Sequence, residues 1–102
     1  MISLLDEKRE DLIRLCQKYR VRRLEVFGSA ANGEFDSSSS DLDFLVEYLD
    51  LEPGQHAEAY FNLSEALEAL FLRHANLVMT RAIKNRYFLE AIESSRTLLY
   101  AN

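Results

Sequence analysis

A chain of 102 residues, 48% hydrophobic and 28% charged, has room for one domain at the usual allotment of about 150 residues, and its composition excludes wholesale disorder. The lone Cys16 excludes an internal disulfide and any thiolate zinc cluster; no apolar stretch approaches the ~20 residues of a bilayer span, and no signal peptide opens the chain, so no membrane partner and a cytoplasmic location are expected. Twelve basic residues against seventeen acidic ones leave a net charge of −5, the wrong balance for a protein whose main ligand is a phosphate backbone, and nucleic acid is not an expected partner.

In chain order, residues 3–20 read as an amphipathic helix. Ser3 stands in a capping position with Asp6 three residues on, and Leu5, Leu12, Leu15, Cys16 and Tyr19 recur at helical spacing along one stripe. Cys16 falls inside that stripe, which marks it as a small buried hydrophobe rather than a reactive thiol. From Val21 the period changes, and Val21, Leu24, Val26 and Phe27 form a strand that ends at Gly28-Ser29. Residues 30–40 are small and polar, with Asn32-Gly33 as a turn signal and serines at 37–40, and read as an internal surface loop.

Leu42, Phe44 and Val46 alternate with Asp41, Asp43, Leu45 and Glu47, the pattern of a half-buried strand over 41–48. Pro53-Gly54 closes it. A helix over 56–72 follows, with Tyr60, Leu63, Leu67, Leu70 and Phe71 on its inner face and Phe61 and Leu72 off the stripe. Residues 76–80 read as a third strand, 85–94 as a short helix with Phe88, Ala91 and Ile92 inward, and 97–100 as a terminal strand. Helices and strands alternate around one core, so the expected class is α/β (α+β), a single domain over 1–102 with a small mixed sheet.

Two features carry chemistry. Gly28-Ser29 directly follows a strand, where glycine lets the backbone approach a ligand and the next amides can hold a phosphate. Asp41-Leu42-Asp43 heads the next strand. The side-chain period of two puts both carboxylates on one face, where they repel one another unless a cation lies between them. Oxygen ligands of this kind suit Mg²⁺, whose shell is completed by phosphate and water. Two solvated acids on an exposed face are the plainer alternative.

Together, Val26-Phe27-Gly28-Ser29, a polar loop and Ser40-Asp41-Leu42-Asp43-Phe44-Leu45-Val46 resemble the signature of the polymerase-β-like nucleotidyltransferases, and more narrowly that of the minimal nucleotidyltransferase family. The resemblance covers nearly the whole chain. It implies a nucleotidyltransferase fold in which Gly28 and Ser29 hold the phosphates of a nucleoside triphosphate, and Asp41 and Asp43 bind Mg²⁺ as the catalytic pair. It further implies transfer of a nucleoside monophosphate, AMP from ATP, to a hydroxyl of a protein acceptor. Members of the family pair with HEPN toxins as antitoxins, so a HEPN-type partner is implied; self-association is left open.

The match breaks at two places. The family carries a third carboxylate on the next strand, where this chain has Asn76 in Asn76-Leu77-Val78. Asparagine can offer a carbonyl oxygen but no negative charge, and it cannot act as a general base. The loop carries Asn32-Gly33 where the family often has arginine before glycine. Glu47 shares the parity of Asp41 and Asp43 but lies too far along the strand to substitute. A second reading therefore stands beside the enzyme: a degenerate module that keeps the fold and acts by complex formation. His56 and His74 read as surface or capping groups, and Arg81, Lys84 and Arg86 as a small basic patch at a helix start.

Overall fold

The protein is described by a computed structural model over residues 3–28, 41–52, 54–79, 86–93 and 96–102. The helices are α1 (Ser3–Glu7), α2 (Arg9–Lys18), α3 (Gln55–Phe71) and α4 (Arg86–Ile92). The strands are β1 (Val21–Phe27), β2 (Leu42–Tyr48), β3 (Ala75–Met79) and β4 (Thr97–Ala101). Among the described residues they form one four-stranded sheet in the order β3-β2-β1-β4. β2 is antiparallel to β1 and parallel to β3, while β4 closes the other side antiparallel to β1. The parallel pair requires a crossover, which α3 supplies. The class is the mixed α/β arrangement expected from the sequence.

The core follows from strand parity. Leu24 and Val26 of β1, Leu42, Phe44 and Val46 of β2, and Ala75 and Leu77 of β3 pack with Leu5, Leu12 and Cys16 from α1 and α2 and with Leu63, Leu67 and Phe71 from α3. Phe44 stacks on Phe71 with ring centroids 6.0 Å apart. Burial pushes the Cys16 thiol up to about 12, so the residue serves as a packed hydrophobe. The Tyr48 hydroxyl lies in the same dry layer and has no hydrogen-bond partner among the described residues; burial pushes its ionisation further up.

Three details differ from the sequence reading. The leading helix is interrupted at Lys8 (φ −100°, ψ 11°), whose carbonyl still accepts the Leu12 amide at 2.9 Å; no glycine or proline occupies the break, and Leu5 and Leu12 are buried on either side of it. The Ser3 cap lies outside the described side chains, and the 30–40 loop outside the described residues. β2 is buried on both faces rather than one, because Leu45 packs with Phe27 and Ile92 beneath α4. Within α4 only Ile92 is buried. Ala91 is exposed, and Phe88 lies at the margin, meeting Phe27 edge-on at 5.9 Å. α4 meets the sheet through Ile92, which packs on Phe27 and Leu45 and leaves Ala91 outside the contact.

The sheet face under α4 also holds Glu25, the one buried charged side chain among the described residues. Arg96, just before β4, grips it with two bonds, Nη2 to Oε1 at 2.8 Å and Nε to Oε2 at 3.0 Å, and Arg23 Nε adds a third at 3.0 Å. The Arg96 hydrogen bonds hold the Glu25 carboxyl below the usual carboxylate range against the opposing effect of burial. A depressed folded-state pKa means that its contribution is complete above the unfolded value, near ~4.3, and is lost as pH falls through the folded one. Glu25→Gln is expected to cost about 1.5–3 kcal/mol at neutral pH, a deficit that shrinks as both proteins are acidified; urea unfolding from pH 7 to pH 3 checks it. Tyr48→Phe removes an unsatisfied buried hydroxyl, so it is expected to be neutral or to stabilise by up to about 1 kcal/mol in the same assay.

Candidate active site

β1 delivers Phe27 directly opposite Asp43 of β2, and Asp43 in turn lies opposite Asn76 of β3. The row crosses three strands at the end of the sheet where β1 runs out into Gly28. There the chain turns with Gly28 at φ +75°, a conformation that L side chains rarely adopt. The Gly28 backbone also lies against the carboxylate. A Cβ built at this position would stand 2.9 Å from Asp43 Oδ2, inside any ordinary contact. Glycine is thus required twice, for its φ and for its lack of a side chain.

Asp43 is half-buried, and Asp41 is exposed immediately before β2. Asn76 Nδ2 donates to Asp43 Oδ1 at 2.9 Å. The other end of that amide is not turned to the site: Asn76 Oδ1 is 3.0 Å from His74 Nε2. His74 Nδ1 is 2.7 Å from Glu68 Oε2, an oxygen that also accepts the Ala75 amide at 3.1 Å. Parity places Asp43 and Asn76 on the same sheet face as Leu45 and Val78, the face covered by α4.

Of the residues singled out in the sequence, Gly28, Asp43 and Asn76 are brought together. Ser29, Asn32, Gly33, Arg81 and Lys84 lie outside the described residues, and Arg86 is exposed at the start of α4. Glu47 sits 3.9 Å from Arg22, toward the far end of β2 from Asp43. His56 packs its ring edge-on to Tyr48, and His74 is exposed, as expected of a surface group, with its ring bonded to Asn76 and Glu68. The reading of the sequence missed Glu68 and the role of His74. The available signal was the two-residue spacing of His74 and Asn76, which puts both on one side of an extended segment. An open hollow of about 180 Å³, lined by Lys18, Tyr19, Arg20, Leu51 and Gln55 among others, lies at the opposite end of the sheet and shares no residue with the row.

Two hard carboxylates, one half-buried and one exposed, fit a Mg²⁺ ion shared with a nucleotide's phosphates and water. They do not make a closed cage: among the described residues no group of three or more His, Cys, Asp or Glu side chains converges. No helix among them is long and apolar enough to cross a membrane.

A glycine turn closed down on a strand-borne carboxylate, within a mixed sheet backed by helices, is the arrangement of a nucleotidyl-transferring domain. Comparison with known proteins agrees: the family model described as "Nucleotidyltransferase domain" matches residues 9–99, and the chain belongs to that family. It is 37% identical over 79 residues to the Methanocaldococcus jannaschii protein named "Putative protein adenylyltransferase MJ0128", covering 78% of this chain and 76% of that one. A solved structure described as a "putative minimal nucleotidyltransferase" superposes with a TM-score of 0.75 at 32% identity, covering 93% of this chain and 92% of the other. The fold is shared as well with a chain from the complex of a tri-AMPylated Shewanella oneidensis HEPN toxin with its MNT antitoxin, with a TM-score of 0.65, 16% identity, and 95% and 72% of the two chains covered.

Gly28→Ala is expected to destabilise the fold by about 1–3 kcal/mol through its positive φ and to displace the Asp43 carboxylate. Thermal unfolding, followed with and without Mg²⁺ and ATP, should show a lower melting temperature and a loss of any nucleotide-dependent rise.

Proposed function

We propose that this chain is a Mg²⁺-dependent adenylyltransferase that moves AMP from ATP to a hydroxyl of a protein acceptor, with a HEPN-type toxin as the acceptor and the chain as its antitoxin. The observation that carries the reading is the contact between the Gly28 turn and the Asp43 carboxylate. A phosphate held at the turn would lie beside the group that holds its counter-ion. Relatives support the rest. One is named "Putative protein adenylyltransferase MJ0128", and the fold is shared with a chain from a complex of a tri-AMPylated HEPN toxin with an MNT antitoxin. Residues 1–102 act in this reading as a single domain, in the cytoplasm.

In the reaction the acceptor hydroxyl oxygen forms a bond to the α-phosphorus. The bond from that phosphorus to the bridging oxygen breaks, pyrophosphate leaves with the electron pair, and the hydroxyl proton passes to water. Gly28, through its backbone, and Ser29, through its amide and hydroxyl, hold the phosphates. Asp41 and Asp43 would hold Mg²⁺, which would neutralise charge on the phosphates. Asn76 presents an amide nitrogen and takes no proton, so the chain relies on positioning and charge neutralisation in place of a carboxylate base at that position.

A second reading rests on Asn76: a module that binds its partner without turnover. Incubation with Mg²⁺ and α-labelled ATP beside a HEPN-type partner separates the two. Label on the partner with the unaltered chain, reduced about 10²-fold or more by Asp43→Asn, is the expected result, a loss typical of removing a group that acts in the transition state. Absence of label with the unaltered chain, together with transfer by Asn76→Asp, would establish the binding module instead.

A further inference from the structure

Accepting the reading of Asp43 as the carboxylate that holds the nucleotide's metal, we propose that Glu68, His74 and Asn76 form a positioning relay that fixes which oxygen Asp43 presents to it. An ionised carboxylate only accepts hydrogen bonds, so the Asn76 group 2.9 Å from Asp43 Oδ1 is the amide NH₂. That assignment orients the whole side chain. Its carbonyl oxygen points away from the site to His74 Nε2 at 3.0 Å, and that ring nitrogen is the donor. Both ring nitrogens then donate, Nε2 to Asn76 and Nδ1 to Glu68 Oε2 at 2.7 Å, and Glu68, in the last turn of α3, is itself tied to the backbone through the Ala75 amide at 3.1 Å.

Each group is anchored by the one behind it, and the series begins at the backbone. Its effect falls on Asp43: Oδ1 is committed to Asn76, while Oδ2 is the oxygen lying under Gly28. The carboxylate is therefore held with one oxygen on Asn76 and the other toward the Gly28 turn. Asn76 spends its carbonyl on His74 and so does not act as a third metal ligand. What it contributes is a donor, which offsets part of the repulsion between Asp41 and Asp43. Groups that orient a metal-binding side chain from behind typically change metal affinity by about 10–100-fold when removed.

The test uses the full chain and three variants. Mg²⁺ affinity is measured by titration in the presence of ATP, and the Asn76 side-chain amide resonances are followed by NMR without ligand. His74→Ala is expected to weaken apparent Mg²⁺ affinity about 10–100-fold and to move the Asn76 amide resonances. His74→Gln, whose side-chain amide can donate from the place of Nε2, is expected to restore most of both, a rescue that a purely structural role would not give. Asp43→Asn is expected to abolish the Mg²⁺-dependent binding. Unchanged affinity and unchanged Asn76 resonances in His74→Ala would overturn the relay, while loss of binding in Asp43→Asn would show that the reading of the site still stood. If Asp43→Asn also bound Mg²⁺ and ATP normally, the reading of the site would fall and the relay with it.

Discussion

The register of β2 is the constraint on which the rest depends. It is paired on one side with β1 and on the other with β3, so a single row brings Phe27, Asp43 and Asn76 abreast. A slip of one residue along either neighbour would turn Asp43 away from Asn76 or from the Gly28 turn, because side chains alternate faces with a period of two. Phe44 and Leu45 resist that slip together. Phe44 is buried against Phe71 on one face, and Leu45 against Phe27 and Ile92 on the other. The core thereby sets the position of a polar group that takes no part in it.

Local pattern made most of the elements legible. The alternation through 42–48, the apolar spacing of Leu63, Leu67 and Phe71, and the change of period at Val21 each report a face that must be buried. Gly28 and Asp43 were legible because their spacing and residue types are unusual for simple packing. What escaped were interactions between distant segments. Glu25 looks like one more strand acid until Arg96 is brought beside it. Leu45 looks solvent-facing until α4 covers it. Glu68 and His74 become partners only through the reversal after α3, where Leu72 adopts φ 55° with its side chain largely exposed. The over-reading of α4 has the same origin, since helical spacing predicts an inner face but not how much of the sheet remains to cover it.

An asparagine rather than a carboxylate at position 76 sets the electrostatics of the row. A third acid would add a negative charge beside two others and would need a cation to be tolerated. The amide instead brings a hydrogen-bond donor to Asp43 Oδ1. The negative charge at this end of β2 then lies on Asp41 and Asp43, the pair to which a divalent ion would be drawn.

The Glu25–Arg96 pair joins positions 71 residues apart. During synthesis β1 and β2 emerge long before Arg96 does, and until then Glu25 has Arg23 beside it but not the two-bond partner that buries it. A hairpin of β1 and β2 formed early must therefore leave that face wet. The face beneath α4 can be fully dehydrated only with the last strand in place, because that strand brings Arg96 to Glu25.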